Sequence, residues 1–160
     1  MAAYIVDTNV LAIAEAPTHQ AGSRCHKKCS ELLIQIQKDG TICIDNHRLI
    51  LKEYLHYFSR SQKQPRIGRA FVKWLFDNVS IPEVEVVVVT PTDKKKTVFK
   101  EFPNDSSLKK FHVNDRKFVA VAKAKIGNPR ASIVHATDKG WQNFEGALRR
   151  NGVEIIHLCP

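Results

Sequence analysis

The stretch Tyr4-Ile5-Val6-Asp7-Thr8-Asn9-Val10-Leu11-Ala12-Ile13-Ala14 decides how the rest of the chain is read. Three β-prone residues end on a carboxylate, and a second apolar run follows at once. In open parallel sheets, ligands bind in the crevice beyond the carboxyl ends of the strands, so an acid at such an end is well placed for chemistry. Ser132-Ile133-Val134-His135-Ala136-Thr137-Asp138 repeats the pattern. Two such ends can lie side by side.

Working outward, strand signals at residues 4–7, 41–45, 84–90, 131–136 and 153–157 alternate with helical patterns at 24–38, 47–61, 66–78, 92–101, 114–126 and 141–150. Strands separated by helices imply βαβ crossovers. The expected fold class is therefore α/β, a central parallel sheet of about five strands flanked by helices. Residues 84–89, valines broken only by Glu85, predict a continuous buried strand. Pro65, Pro82, Pro91, Pro103 and Pro129 fall in junctions, and Gly40, Gly127 and Gly152 sit near helix ends, where glycine is a common C-cap. With 160 residues and no internal repeat or linker, the chain reads as a single domain, 1–160, large enough for a core without disulfide or metal staples.

Two further acids fall on helical patterns. Leu49, Ile50, Tyr54, Leu55, Tyr57 and Phe58 recur at helical spacing, which puts Glu53 on or beside the buried stripe and turns Lys52 elsewhere. Phe118, Val119, Val121 and Ala122 make another helix face, with Asp115 in its first turn. There the helix dipole favours a carboxylate, and N-capping is a competing role. Asp45 also follows a strand and reads as an N-cap for the helix opening at His47, while Glu15, Glu31 and Glu145 read as solvent-facing and His112 and His135 as packing or solvated residues.

Lys and Arg number 25 against 16 Asp and Glu, a formal net charge of +9. That balance favours a polyanionic partner. Lys109, Lys110, Arg116 and Lys117 flank Asp115, and Arg24, Lys27, Lys28 and the run Lys94–Lys96 add further basic clusters. Basic side chains around an acidic centre would hold phosphates there, so nucleic acid is the expected partner. No apolar run approaches the roughly 18 residues of a membrane span, and the N-terminus enters a strand without a signal-peptide pattern. The expected location is cytoplasmic.

Cys25 and Cys29 lie four apart with His26 between them and would share a helix face, so zinc is conceivable. No second pair follows, because Cys43 falls on a strand and Cys159 stands next to the C-terminus. Structural zinc takes four ligands in recognisable pairs. Reduced, mostly buried thiols are expected.

Val6-Asp7-Thr8-Asn9-Val10-Leu11, Glu53 within Leu51-Lys52-Glu53-Tyr54-Leu55, Asn114-Asp115-Arg116-Lys117-Phe118 and His135-Ala136-Thr137-Asp138-Lys139-Gly140-Trp141, in that order across essentially the whole chain, resemble the PIN domain. That is a metal-dependent nuclease fold found in bacterial toxin-antitoxin ribonucleases and RNA-processing factors. The resemblance implies an endoribonuclease using Mg²⁺ or Mn²⁺, with Asp7, Glu53, Asp115 and Asp138 as catalytic metal-binding acids and Thr8, Asn9 and Thr137 supporting them. Lys52, Arg116, Lys139 and Trp141 are candidate nucleic-acid contacts, Trp141 either stacking on a base or packing against its own strand. Single-stranded or unpaired RNA is the implied substrate, with DNA as the alternative; an antitoxin or other regulatory protein and a second copy of the chain are implied partners. Two other readings compete. A PIN-like module that binds RNA or protein without cutting gains weight only when acids are missing. A haloacid dehalogenase type phosphohydrolase would show Asp-x-Asp-x-Thr, and here Asn9 stands where the second Asp belongs.

Overall fold

The computed structural model describes residues 1–17, 21–58 and 66–160. Five strands, β1 (Ala3–Val6), β2 (Thr41–Asp45), β3 (Val84–Val87), β4 (Ala131–His135) and β5 (Glu154–His157), form one sheet in the order β3-β2-β1-β4-β5. Every pairing is parallel. The described helices are α1 (Thr8–Glu15), α2 (Ser23–Asp39), α3 (Leu49–Phe58), α4 (Ile67–Asp77), α5 (Arg116–Ala124), α6 (Lys139–Gln142) and α7 (Glu145–Arg150). The expected α/β architecture is present. The chain builds outward from β1 to β2 and β3, then returns to the other side of β1 for β4 and β5. The order of construction therefore reverses between β1 and β4, which is where open α/β sheets form their crevice.

The core sits against the three inner strands, where Ile5, Val6, Ile42, Ile44, Ile133 and Val134 are fully buried. Side chains of this size each contribute about 1.5–3 kcal/mol on burial. Helix α1, unassigned by the sequence pattern, buries Val10, Leu11, Ile13 and Ala14, which share one helix face. The run is short, eight residues directly after β1, and its buried spacing of i, i+1, i+3 and i+4 is that of a helix packed on one face. Where α4 crosses α1, a Cβ on Gly68 would lie 2.2 Å from the Leu11 carbonyl oxygen, so only glycine fits that crossing. Glu15, expected to face solvent, instead accepts hydrogen bonds from the backbone N–H groups of Arg66 and Arg69 at the start of α4.

Several expectations are corrected. Residues 92–101 are not helical: Asp93 accepts from the Thr97 and Val98 backbone N–H groups and from the Thr97 hydroxyl, closing a loop around the lysine run. A short acid that binds backbone N–H groups locally offers the chain an alternative to a helix. The valine-rich strand is not buried throughout, since β3 lies at the sheet edge and Val86 and Val88 are 45% and 70% exposed. The helix expected at 141–150 is two, α6 and α7, with Phe144 between them. Pro65 and the end of the helix expected at 47–61 lie outside the described residues. Finally, not all thiols are free: Cys25 near the start of α2 is disulfide-bonded to Cys159, 134 residues away, while Cys29 and Cys43 are free and buried. A pairing across that separation depends on tertiary approach, which spacing alone does not show.

Among the described residues, no helix is long and apolar enough to cross a membrane.

Candidate active site

Asp7 follows β1 and Asp138 follows β4 by three residues, and these two strands are direct neighbours in register from Ala3 opposite Ala131 to Val6 opposite Val134. The Asp7 backbone N–H continues the ladder by donating to the Val134 carbonyl at 2.9 Å. Both acids thus emerge at the carboxyl edge of the sheet. Asn9 fixes that edge from the side, its Oδ1 accepting from the Ala136 N–H at 3.0 Å. The turn out of β1 and the turn out of β4 are therefore one hydrogen-bonded unit.

Glu53 arrives on α3. The helix is started by Asp45, whose two carboxylate oxygens accept from the Leu49 and Ile50 N–H groups at 2.9 Å each, the capping role read from the sequence. It is then pinned to β1 by the buried Tyr54 hydroxyl, which donates to the Val6 carbonyl immediately before Asp7. Glu53 itself is held from two sides: Thr8 donates to one oxygen, and the Lys117 ammonium lies 2.8 Å from the other. Lys117 is 11% exposed, also donates to the Asn114 carbonyl and lies over the Phe118 ring. Asp115 closes a 3-10 turn, Val113–Asp115, and leads into α5.

These four carboxylates line one open cleft of about 290 Å³ together with Thr8, Asn9, Ala12 and Tyr57. Four separate chain segments supply the acids. Neither Asp7 nor Asp115 spends its carboxylate on a cap hydrogen bond, although each stands at a helix start. The capping alternative for Asp115 is therefore not realised. Asp138 is the one that caps, one oxygen accepting from the Gly140 N–H at 2.7 Å, which leaves its second oxygen for the cleft.

The electrostatics follow from this crowding. Burial, then the charges of Asp115, Asp138 and Glu53, raise the Asp7 pKa to about 8. Asp115 is raised to about 6 by burial and by Asp138 and Glu53, against the opposing pull of Lys117 and His112. A buried carboxylate near like charges is costly to ionise, and a cation would reverse that cost. All-oxygen, carboxylate-rich surroundings fit a hard divalent cation that retains some water. The acids are splayed: among the described residues, no three of them bring oxygens within 4.8 Å of one another. That spacing suits ions reached partly through water better than a closed protein cage.

The supporting residues divide. Thr8 and Asn9 orient Glu53 and the β4 turn, whereas Thr137 is half-buried and does not line the cleft. Lys52 and Lys139 are exposed. Arg116 is committed to structure, donating to the Lys109 and Phe111 carbonyls and lying 4.7 Å from the Phe102 ring centre. Trp141 is corrected as a base-stacking candidate: it is fully buried against Phe111 and Phe118 and has no face to offer. Its indole N–H makes no full hydrogen bond, yet it favours the charged form of Asp7. The aromatic at the cleft is Tyr57, 53% exposed. Its place on the α3 pattern hid it among packing residues. Lys117 was also missed as a partner of Glu53, since 64 residues separate them. His135 is buried and stacks on His157, and burial with the His157 charge lowers its pKa to about 4. His112 is exposed and accepts from the Asn114 N–H.

No protein-family model, curated protein or solved structure matches this chain.

Proposed function

We propose that the chain is a metal-dependent endonuclease that hydrolyses phosphodiester bonds, with single-stranded or locally unpaired RNA as its substrate. The observation that carries this reading is the convergence of Asp7, Glu53, Asp115 and Asp138 on one cleft at the carboxyl edge of a parallel sheet. Asp7, Asp115 and the uncapped oxygen of Asp138 would hold Mg²⁺ or Mn²⁺, and Glu53 would complete the set. A hard cation there supplies an activated water and a counter-charge for the leaving oxygen.

The chain's own residues set the rest. Thr8 and Lys117 fix the Glu53 carboxylate in direction, leaving little rotamer freedom to be lost when substrate arrives. Asn9 keeps the turn carrying Asp138 beside the turn carrying Asp7. Tyr57 presents an exposed ring at the cleft on which an unpaired base can stack, an interaction worth about 1–3 kcal/mol per base. The net charge of +9 offsets phosphate repulsion from the acids and predicts binding that weakens with salt.

The test is incubation of purified chain with labelled single-stranded RNA and DNA, with Mn²⁺ or with a chelator, beside Asp7→Asn. Cleavage of RNA that needs the ion and is lost in the variant supports the reading. Equal cleavage by variant and unaltered chain sinks it, and binding without any cleavage would instead favour a non-catalytic module.

A further inference from the structure

The sulfur atoms of Cys25, Cys29 and Cys159 all lie within 4.8 Å of one another. Cys25 and Cys29 stand one turn apart on α2, and Cys159 follows β5. The last residues are brought there by the sheet: the Leu158 and Cys159 N–H groups donate to the His135 and Ala136 carbonyls, and Lys28 of α2 donates to the Leu158 carbonyl. His26 bonds the Ile13 carbonyl through Nδ1. Cys43 is buried on β2, outside the group.

We propose that Cys25, Cys29 and Cys159 form a three-thiolate site for a soft divalent cation of the zinc class, filled when the Cys25–Cys159 disulfide is reduced. Two thiols one helical turn apart are too few for such an ion. The tertiary structure adds the third from the far end of the chain. Thiolate sulfur selects zinc-class cations over Mg²⁺ or Mn²⁺, so this site and the carboxylate cleft would sort ions by ligand hardness. Cys25 lies in the first turn of a 17-residue helix, where the dipole favours a thiolate. The fourth tetrahedral position is left to water, reached past the half-buried Cys159.

The chemistry balances with a dithiol as reductant. It gives two electrons and two protons to the Cys25–Cys159 bond and becomes a disulfide itself, leaving three protein thiols. Binding one divalent ion then releases three protons. In either state the segment after β5 stays tied to α2. That segment is hydrogen-bonded to Ala136, two residues before Asp138, so the tie steadies the strand that leads into the carboxylate cleft.

The whole chain, reduced with a phosphine and kept free of oxygen, is titrated with Cd²⁺ and followed by near-ultraviolet sulfur-to-metal charge transfer, a readout blind to carboxylate binding. A band saturating at one equivalent is expected, with loss of that saturation in Cys29→Ser and Cys159→Ser, retention in Cys43→Ser, and none in the unreduced chain. Zn²⁺ should also raise the Tm of the reduced chain by more than it raises that of reduced Cys159→Ser, the difference being the part that the carboxylate cleft does not supply. Cys29 is fully buried, so if its serine variant does not fold, the half-buried Cys159 decides. No saturating band in the reduced chain, or a Cys159→Ser titration like that of the unaltered chain, overturns the proposal.

Discussion

The carboxylate cleft beyond β1 and β4 and the sulfur cluster between α2 and the end of β5 both gather side chains from distant parts of the chain, but only the cleft gathers groups that repel. Asp7, Glu53, Asp115 and Asp138 are held together against their own charge, and the cost is visible in the raised pKa values of Asp7 and Asp115. The thiols are neutral when protonated, and two of them have joined covalently. Crowded like charges cost stability, which makes their cleft a candidate functional site. Crowded thiols carry no such mark, because they pack as small apolar groups until oxidised or bound to metal.

The comparison breaks most easily at the disulfide. Closing a loop with a separation of 134 residues removes, by the chain-entropy argument, about 5 kcal/mol of unfolded-state freedom. Reduction without metal should therefore lower the Tm on the order of 10 °C, read by calorimetry. An unchanged Tm would mean that the sulfur cluster, like the cleft, adds no stability to the fold.

Asp7→Asn should have the opposite profile. Metal-dependent RNA cleavage should fall by about a hundredfold or more, while the metal-free chain melts no lower than before, because the cost of burying a crowded carboxyl, met by protonation below about pH 8 and by repulsion above it, is gone. A clear loss of metal-free Tm would recast Asp7 as a structural residue.

The pH dependence sharpens the same point. The folded-state pKa of Asp7, about 8, lies above its ordinary value of 3.8, so the folded chain binds the extra proton more tightly. The associated stability is complete below about pH 4 and lost as pH rises through about 8. Asp115 adds a smaller loss, ending near pH 6. Denaturant melts in chelator should show stability falling over this window by a few kcal/mol more in the unaltered chain than in Asp7→Asn. Parallel curves would contradict the crowding argument.

The smallest effects concern the groups around the acids. Lys117→Met should release Glu53 and lower cleavage about tenfold, with a cost of no more than about 2 kcal/mol in stability, since the Glu53 side chain is 31% exposed and partly screened. Tyr57→Ala should raise the RNA KM several-fold and leave the Tm unchanged, whereas an unaltered KM would remove base stacking from the picture.

Much of the cleft was legible because its acids stand in conspicuous surroundings. Asp7 and Asp138 interrupt apolar runs, and Asp45 follows a strand at the spacing of a cap, so local sequence was enough. Glu53 and Asp115 were legible as positions on helices, but Asp115 was not distinguishable from a cap until its carboxylate proved free of one. The remainder turned on contacts. Trp141 and Tyr57 exchange roles because burial belongs to the assembled molecule: one ring is enclosed by Phe111 and Phe118, and the other stands open at the cleft. Val86 and Val88 looked internal until the strand order put β3 at an edge.

The sequence by itself determined the alternation of strands and helices, the parallel class of the sheet and the placing of two acids at strand ends, since periodicity and strand-end position are local properties. Only the tertiary structure decided that β1 and β4 are neighbours, that Lys117 reaches Glu53, and that Cys159 returns to Cys25 and Cys29. Each of those joins residues far apart in the chain, and nothing in the residues between them records how closely the fold will bring their ends.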